Sequence, residues 1–88
     1  MKLKDILNMY TTEQKYKIFM NAKGIRTSIR LNNSLWEILD KWCKTHKISI
    51  AWLLRKIDEE NDGVQNLTQA VKTFIFYIKE NPKDEIIL

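Results

Sequence analysis

Eighty-eight residues suffice for one small domain with a modest core. Apolar residues make up 44% of the chain, and three Trp, three Tyr and three Phe argue against disorder. No apolar run approaches the roughly 20 residues that a bilayer-spanning helix needs. The net charge of +4 is mild but unevenly placed. Residues 1–56 carry twelve Lys/Arg against four Asp/Glu, a balance of +8, whereas residues 57–88 carry three against seven, a balance of −4. Such asymmetry gives one part of the molecule to a polyanion and turns the other away, although a lysine-rich surface also serves solubility alone.

The N-terminus lacks the uninterrupted apolar stretch of a signal peptide, so cytoplasmic residence is the default expectation. The one cysteine, Cys43, has no intrachain disulfide partner, which agrees with a reducing compartment. A chain this short with an aromatic-rich interior often completes its core by dimerising.

In chain order, residues 1–10 read as a short helix with Leu3, Ile6, Leu7 and Tyr10 on one side. It would be marginal alone and needs a surface to dock on. Thr11 and Gln14 then have capping-box spacing. Residues 15–22 read as a helix ending before Gly24, with a strand over residues 16–20 as the alternative. A strand there would give the next segment a partner within its own chain.

That next segment, Arg26-Thr27-Ser28-Ile29-Arg30-Leu31, organises the rest. Arg26, Ser28 and Arg30 fall on one face, and Thr27, Ile29 and Leu31 on the other, which is strand periodicity. A lone strand cannot satisfy its backbone, so its expected partner is the same strand of a second chain. An antiparallel pair would show two arginines and a serine per chain on a ribbon narrow enough for the DNA major groove.

Three helices are expected after it. The first covers about residues 34–44, with Leu35, Ile38, Leu39, Trp42 and Cys43 as a buried stripe. Ser34 and Glu37 have capping-box spacing, with Asn32 and Asn33 as rival caps. Thr45, His46 and Lys47 end it. The second covers about residues 50–61, capped by Ser49, with Ile50, Leu53, Leu54 and Ile57 inward. The Ser49 hydroxyl and the Ile50 and Ala51 amides form a candidate phosphate site. The third starts near Asn66 or Thr68, places Leu67, Ala70, Val71, Phe74, Ile75 and Ile78 on one side, and stops at Pro82. Residues 83–88 read as a tail.

Each candidate has a plainer reading. Arg26 and Arg30 also suit a solvated edge strand, and Ser28 either reads a base edge or leaves room. Lys23, Lys41, Lys44, Lys47 and Lys56 are individually surface charges; as a set around the ribbon they suit phosphates. Trp36, Trp42 and Trp52 read as core or dimer interface. Cys43 and His46 are too few ligands for zinc, and Cys43 lies on the buried stripe. Acidic residues 58–62 resemble a solvated helix end, without the ligand spacing of a calcium loop. No cofactor, metal or catalytic constellation is expected, which leaves no enzyme to propose.

The alternating strand, the turn and the paired helices over residues 25–61 resemble the ribbon-helix-helix family of bacterial and phage DNA-binding proteins. Trp36 early in the first helix, and the helix beginning at Asn66-Leu67 and running through Ala70, are similar to a three-helix subgroup with an aromatic-Trp pair, extending the likeness to about residue 80. The resemblance implies a mainly α fold with one short strand per chain and an intertwined homodimer, or a higher assembly of it. Its antiparallel two-stranded ribbon would be flanked by extra N-terminal and C-terminal helices. Residues 1–24 would then be an N-terminal helical extension, 25–80 the domain and 81–88 the tail.

The resemblance also implies site residues. Arg26, Ser28 and Arg30 match the base-reading positions. Lys23, Lys47, Ser49, Ile50 and Ala51 would meet phosphates. Ile29, Leu31, Leu35, Trp36, Leu39, Trp42, Leu53, Leu54 and Ile57 would form the dimer core. A departure is the corner between the first two helices, where relatives often have Gly and this chain has Lys47. The implied function is a sequence-specific regulator of transcription such as a repressor. The alternative on the same fold is a protein-interaction module, whether adaptor, inhibitor or antitoxin, using the N-terminal extension as a partner surface.

Overall fold

In the computed structural model, which describes residues 2–4 and 14–88, the alternation after Ile25 is realised as strand β2 (Arg26–Asn32). Ile29 and Leu31 are buried, while Arg26, Ser28 and Arg30 are exposed. Its partner is β1 (Gln14–Met20) of the same chain, antiparallel, with Tyr16 opposite Arg30, Ile18 opposite Ser28 and Met20 opposite Arg26. Residues 15–20 are therefore strand, not the helix preferred from sequence, and the ribbon closes within one chain. Gln14 opens that strand instead of a helix; residues 5–13, and most of the expected N-terminal helix, lie outside the described residues.

Phe19 decides the outcome for β1. It lies on the inner face, opposite Thr27, and is buried in the core beside Ile29 and Leu31. Burying a phenylalanine side chain removes a large apolar area from water, worth about 1.5–3 kcal/mol, and only the extended form delivers it here. The turn is built for the same form. Asn21 Oδ1 accepts from the N–H groups of Lys23 and Ile25 at 3.0 and 2.9 Å. The Asn21 N–H donates to the Ile25 carbonyl at 2.9 Å, and Gly24 turns with φ +76°, which a residue with Cβ adopts only under strain. The Ala22 N–H donates to Asp58 Oδ2 at 3.0 Å, which pins the loop to a helix.

Strand β2 runs into α1 (Asn33–His46) without a connecting loop. Asn32 occupies the N-cap position, but its side chain accepts from Gln14 Nε2 across the sheet at 3.3 Å instead of capping the helix. At the other end the Lys47 N–H reaches the Lys44 carbonyl at 3.2 Å and the Ile48 N–H reaches the Cys43 carbonyl at 3.0 Å. That paired closure requires a left-handed residue, and Lys47 supplies it at φ +58°. Helix α2 (Ile50–Asn61) begins at the expected Ser49 cap, whose Oγ accepts from the Trp52 N–H at 3.0 Å. Helix α3 (Leu67–Glu80) is capped by Asn66, whose Oδ1 accepts from the Gln69 N–H at 2.8 Å.

The core is shared by every described element: Phe19, Ile29 and Leu31 from the sheet, Leu39 and Cys43 from α1, Leu53 and Leu54 from α2, Val71 and Ile75 from α3. Trp42 closes its side, edge-on to Phe74 with ring centres 5.1 Å apart and stacked on His46 at 4.0 Å. Among the described residues, the helices therefore cover one face of the sheet and leave the other open. No helix among the described residues is long and apolar enough to cross a membrane.

Candidate nucleic-acid interface

Residues directly opposite in an antiparallel pair share a face. Since Ile29 and Leu31 point into the core, the register sets Arg26, Ser28 and Arg30 on the outer face beside Met20, Ile18 and Tyr16. All six are exposed. The two strands lie about 4.8 Å apart, and the ribbon they make fits a groove about 12 Å wide. The hairpin over residues 14–32 holds five cationic side chains, Lys15, Lys17, Lys23, Arg26 and Arg30, and no carboxylate. By the register Arg26 and Arg30 stand on the outer face, whereas Lys15 and Lys17, opposite Leu31 and Ile29, lie on the face toward the helices.

The surrounding lysines divide into two groups. Lys44 is paired with Asp40 at 3.0 Å, and Lys56 with Glu60 at 3.4 Å and Glu59 at 3.9 Å, each on its own helix. Among the described residues, Lys23 at the hairpin tip, Lys41 on α1 and Lys47 at the corner are exposed and without an ion pair. At the start of α2, Ser49 Oγ takes the Trp52 N–H, which leaves Ile50 and Ala51 N–H as first-turn donors outside the helical ladder.

The side chains expected at a dimer core lie in the core of this one chain. Ile29, Leu31, Leu39, Leu53 and Leu54 are buried, and Leu35, Trp36, Trp42 and Ile57 pack half-buried against them. Trp36 also ties the sheet to α1, its indole N–H donating to the Lys15 carbonyl at 2.7 Å. Trp52, expected in core or interface, is exposed. Cys43 is 1% exposed, and burial, with Asp40 adding to it, pushes its thiol from about 9 up to about 11 despite the opposing charge of Lys17. His46 stacks on Trp42, its Nδ1 lying 2.8 Å from the Trp42 carbonyl.

Four contributors escaped the sequence reading. Tyr16, Ile18 and Met20 stand on the outer face because β1 is a strand, and only Lys17 interrupts the apolar run that hides this in the sequence. Asp58 holds the hairpin loop and is half-buried, although its acidic neighbours made it look like part of a solvated helix end. The Asn21-Ala22-Lys23-Gly24 turn was the available signal, but a glycine four residues past Met20 reads equally as a helix stop.

The sequence model of the ribbon-helix-helix domain matches residues 20–78, and the chain belongs to that family. Its members are typically dimeric DNA-binding regulators on a non-enzymatic fold. No curated protein and no solved structure matches the chain.

Proposed function

We propose that this protein is a DNA-binding regulator of transcription that sets the outer face of its β-hairpin into the major groove. One observation carries this reading: Arg26, Ser28 and Arg30 stand exposed on a ribbon of groove width, in a hairpin without a carboxylate. Each arginine can donate two parallel hydrogen bonds to guanine O6 and N7, worth about 1–3 kcal/mol of discrimination apiece. Ser28 reads a base edge between them. Lys23, Lys47, Ser49 and the Ile50 and Ala51 amides hold phosphates, which adds affinity and sets orientation without choosing sequence. Two copies act together, as is typical of the family, each bringing its own hairpin. The buried thiol of Cys43 suits a reducing cytoplasm, where such a regulator finds its DNA.

The test is a fluorescence-anisotropy titration against genomic duplex fragments at two salt concentrations. Wild type should prefer a subset of fragments. Arg26→Ala with Arg30→Ala should erase the preference and reduce affinity at least about thirtyfold, from two lost bidentate contacts. Unchanged binding to every fragment would remove these arginines from the interface.

One observation favours a second reading. The apolar side chains of Tyr16, Ile18 and Met20 on the same face also suit a protein partner, as an antitoxin or adaptor on this fold would need. Stoichiometric recovery of one protein partner, with no retention on DNA at low salt, would select it.

A further inference from the structure

The outer face of the hairpin carries two unlike rows. On β2 stand Arg26, Ser28 and Arg30, all hydrogen-bonding groups. On β1, directly across from them, stand Met20, Ile18 and Tyr16, which are 52%, 48% and 62% exposed. A hairpin exposing three large apolar groups in line on its solvent face invites aggregation unless something meets them. Of the features in the major groove, the C5 methyl of thymine is the apolar one. Whatever occupies this face meets the cations of Arg26 and Arg30, with Lys23 at the hairpin tip, and no carboxylate of the hairpin; Lys15 and Lys17 lie on the opposite face. A polyanion bearing methyl groups fits both rows at once.

Resting on the DNA-binding reading above, we propose that Tyr16, Ile18 and Met20 are specificity-determining residues that read thymine methyls alongside the bases read by Arg26, Ser28 and Arg30. The pairing geometry sets the spacing. Cross-strand neighbours on one face lie about 5 Å apart, so each donor has an apolar group beside it at the same level. Successive levels, two residues on, lie about 6.8 Å apart along the ribbon, or about two base-pair steps. Arg26 and Arg30 then stand about 13–14 Å apart and span about four steps. Guanines are expected near the two ends of a stretch of about five base pairs, with thymines adjacent to them or between them. The two strands differ in chemistry and come from one chain, so the sequence read by one hairpin has no internal two-fold symmetry.

The experiment uses the full chain and a duplex pool enriched by it from a random library. The pool is copied with thymidine and again with deoxyuridine, which removes only the methyl. Wild type should bind the thymidine duplexes about fourfold more tightly for each methyl buried, the equivalent of about one CH₂ transferred from water. Ile18→Ser should lose part of that ratio while keeping its dependence on Arg26 and Arg30 and on salt. Ile18 is a surface residue, and the comparison of the two duplexes with wild type needs no variant to fold.

Equal affinity of wild type for both duplexes, with binding still lost in Arg26→Ala plus Arg30→Ala, would overturn this inference and leave the DNA-binding reading standing. Failure to enrich any duplex would overturn that reading and this one together. A second copy or another protein crosslinked through a photoreactive residue at position 18, in place of DNA, would also overturn the thymine contact.

Discussion

Lys47 holds a left-handed conformation, φ +58°, at the corner between α1 and α2. Side chains with a Cβ occupy that region at a cost of about 1–2 kcal/mol, part of which glycine returns as unfolded-state entropy. Lys47→Gly should therefore raise stability by about 0.5–1 kcal/mol in urea titration. It should also weaken DNA binding and flatten its salt dependence, because the same side chain is proposed to meet a phosphate.

Cys43 makes a different prediction. Its folded thiol titrates near 11 instead of about 9, so between those values the unfolded chain gives up a proton that the folded chain keeps. Stability should fall as pH rises through that window and be untouched by this group below about pH 8. The slope in excess of that in Cys43→Ala, measured by urea unfolding at each pH, checks it. At pH 8 a thiol reagent such as iodoacetamide should label the native protein far more slowly than the urea-unfolded chain.

At the scale of elements, β1 and the turn are held at three places outside the ladder: Phe19 in the core, the Trp36 indole on the Lys15 carbonyl, and Asp58 on the Ala22 amide. Asp58→Ala removes a charge-assisted bond and should cost about 1–2 kcal/mol. Hydrogen exchange should show it first at the loop amides of Ala22 and Lys23 and in the strands, with α3 still protected. Phe19→Ala empties a core site and should cost about 3–5 kcal/mol, a large share of the stability of a domain this small.

The same element shows why some of the fold was legible and some not. Strand β2 alternates cleanly, and α1, α2 and α3 each carry one apolar stripe at helical spacing, so their positions could be read to within a few residues. Strand β1 could not, because Ile18, Phe19 and Met20 are apolar in succession. A strand with one solvated face should not look like that. The face toward solvent carries apolar groups that local folding does not require, and the sequence pattern blurs at the residues where the structure leaves them uncovered. The polar face of β2 was legible because Arg26, Ser28 and Arg30 keep to one parity. Their apolar companions were hidden by the same register that reveals them.

At the scale of the whole molecule, charge and topology agree. The hairpin, α1 and the start of α2 lie in the part of the chain with the positive balance, and α3 with the tail in the negative part. Association with DNA should accordingly weaken steeply with salt, one counterion for each phosphate neutralised. Light scattering should give twice the chain mass in the absence of DNA. A monomer that still binds duplexes would keep the groove-reading surface and discard the two-copy arrangement.

Strand β1 reaches β2 through five residues of turn, and that short tether has a consequence at low protein concentration. Partners joined in cis face each other at a fixed effective concentration, whatever the number of molecules in the cell. Dilution can separate two chains, but it cannot unzip this hairpin, so each copy should keep its outer face intact whether or not a second copy is beside it.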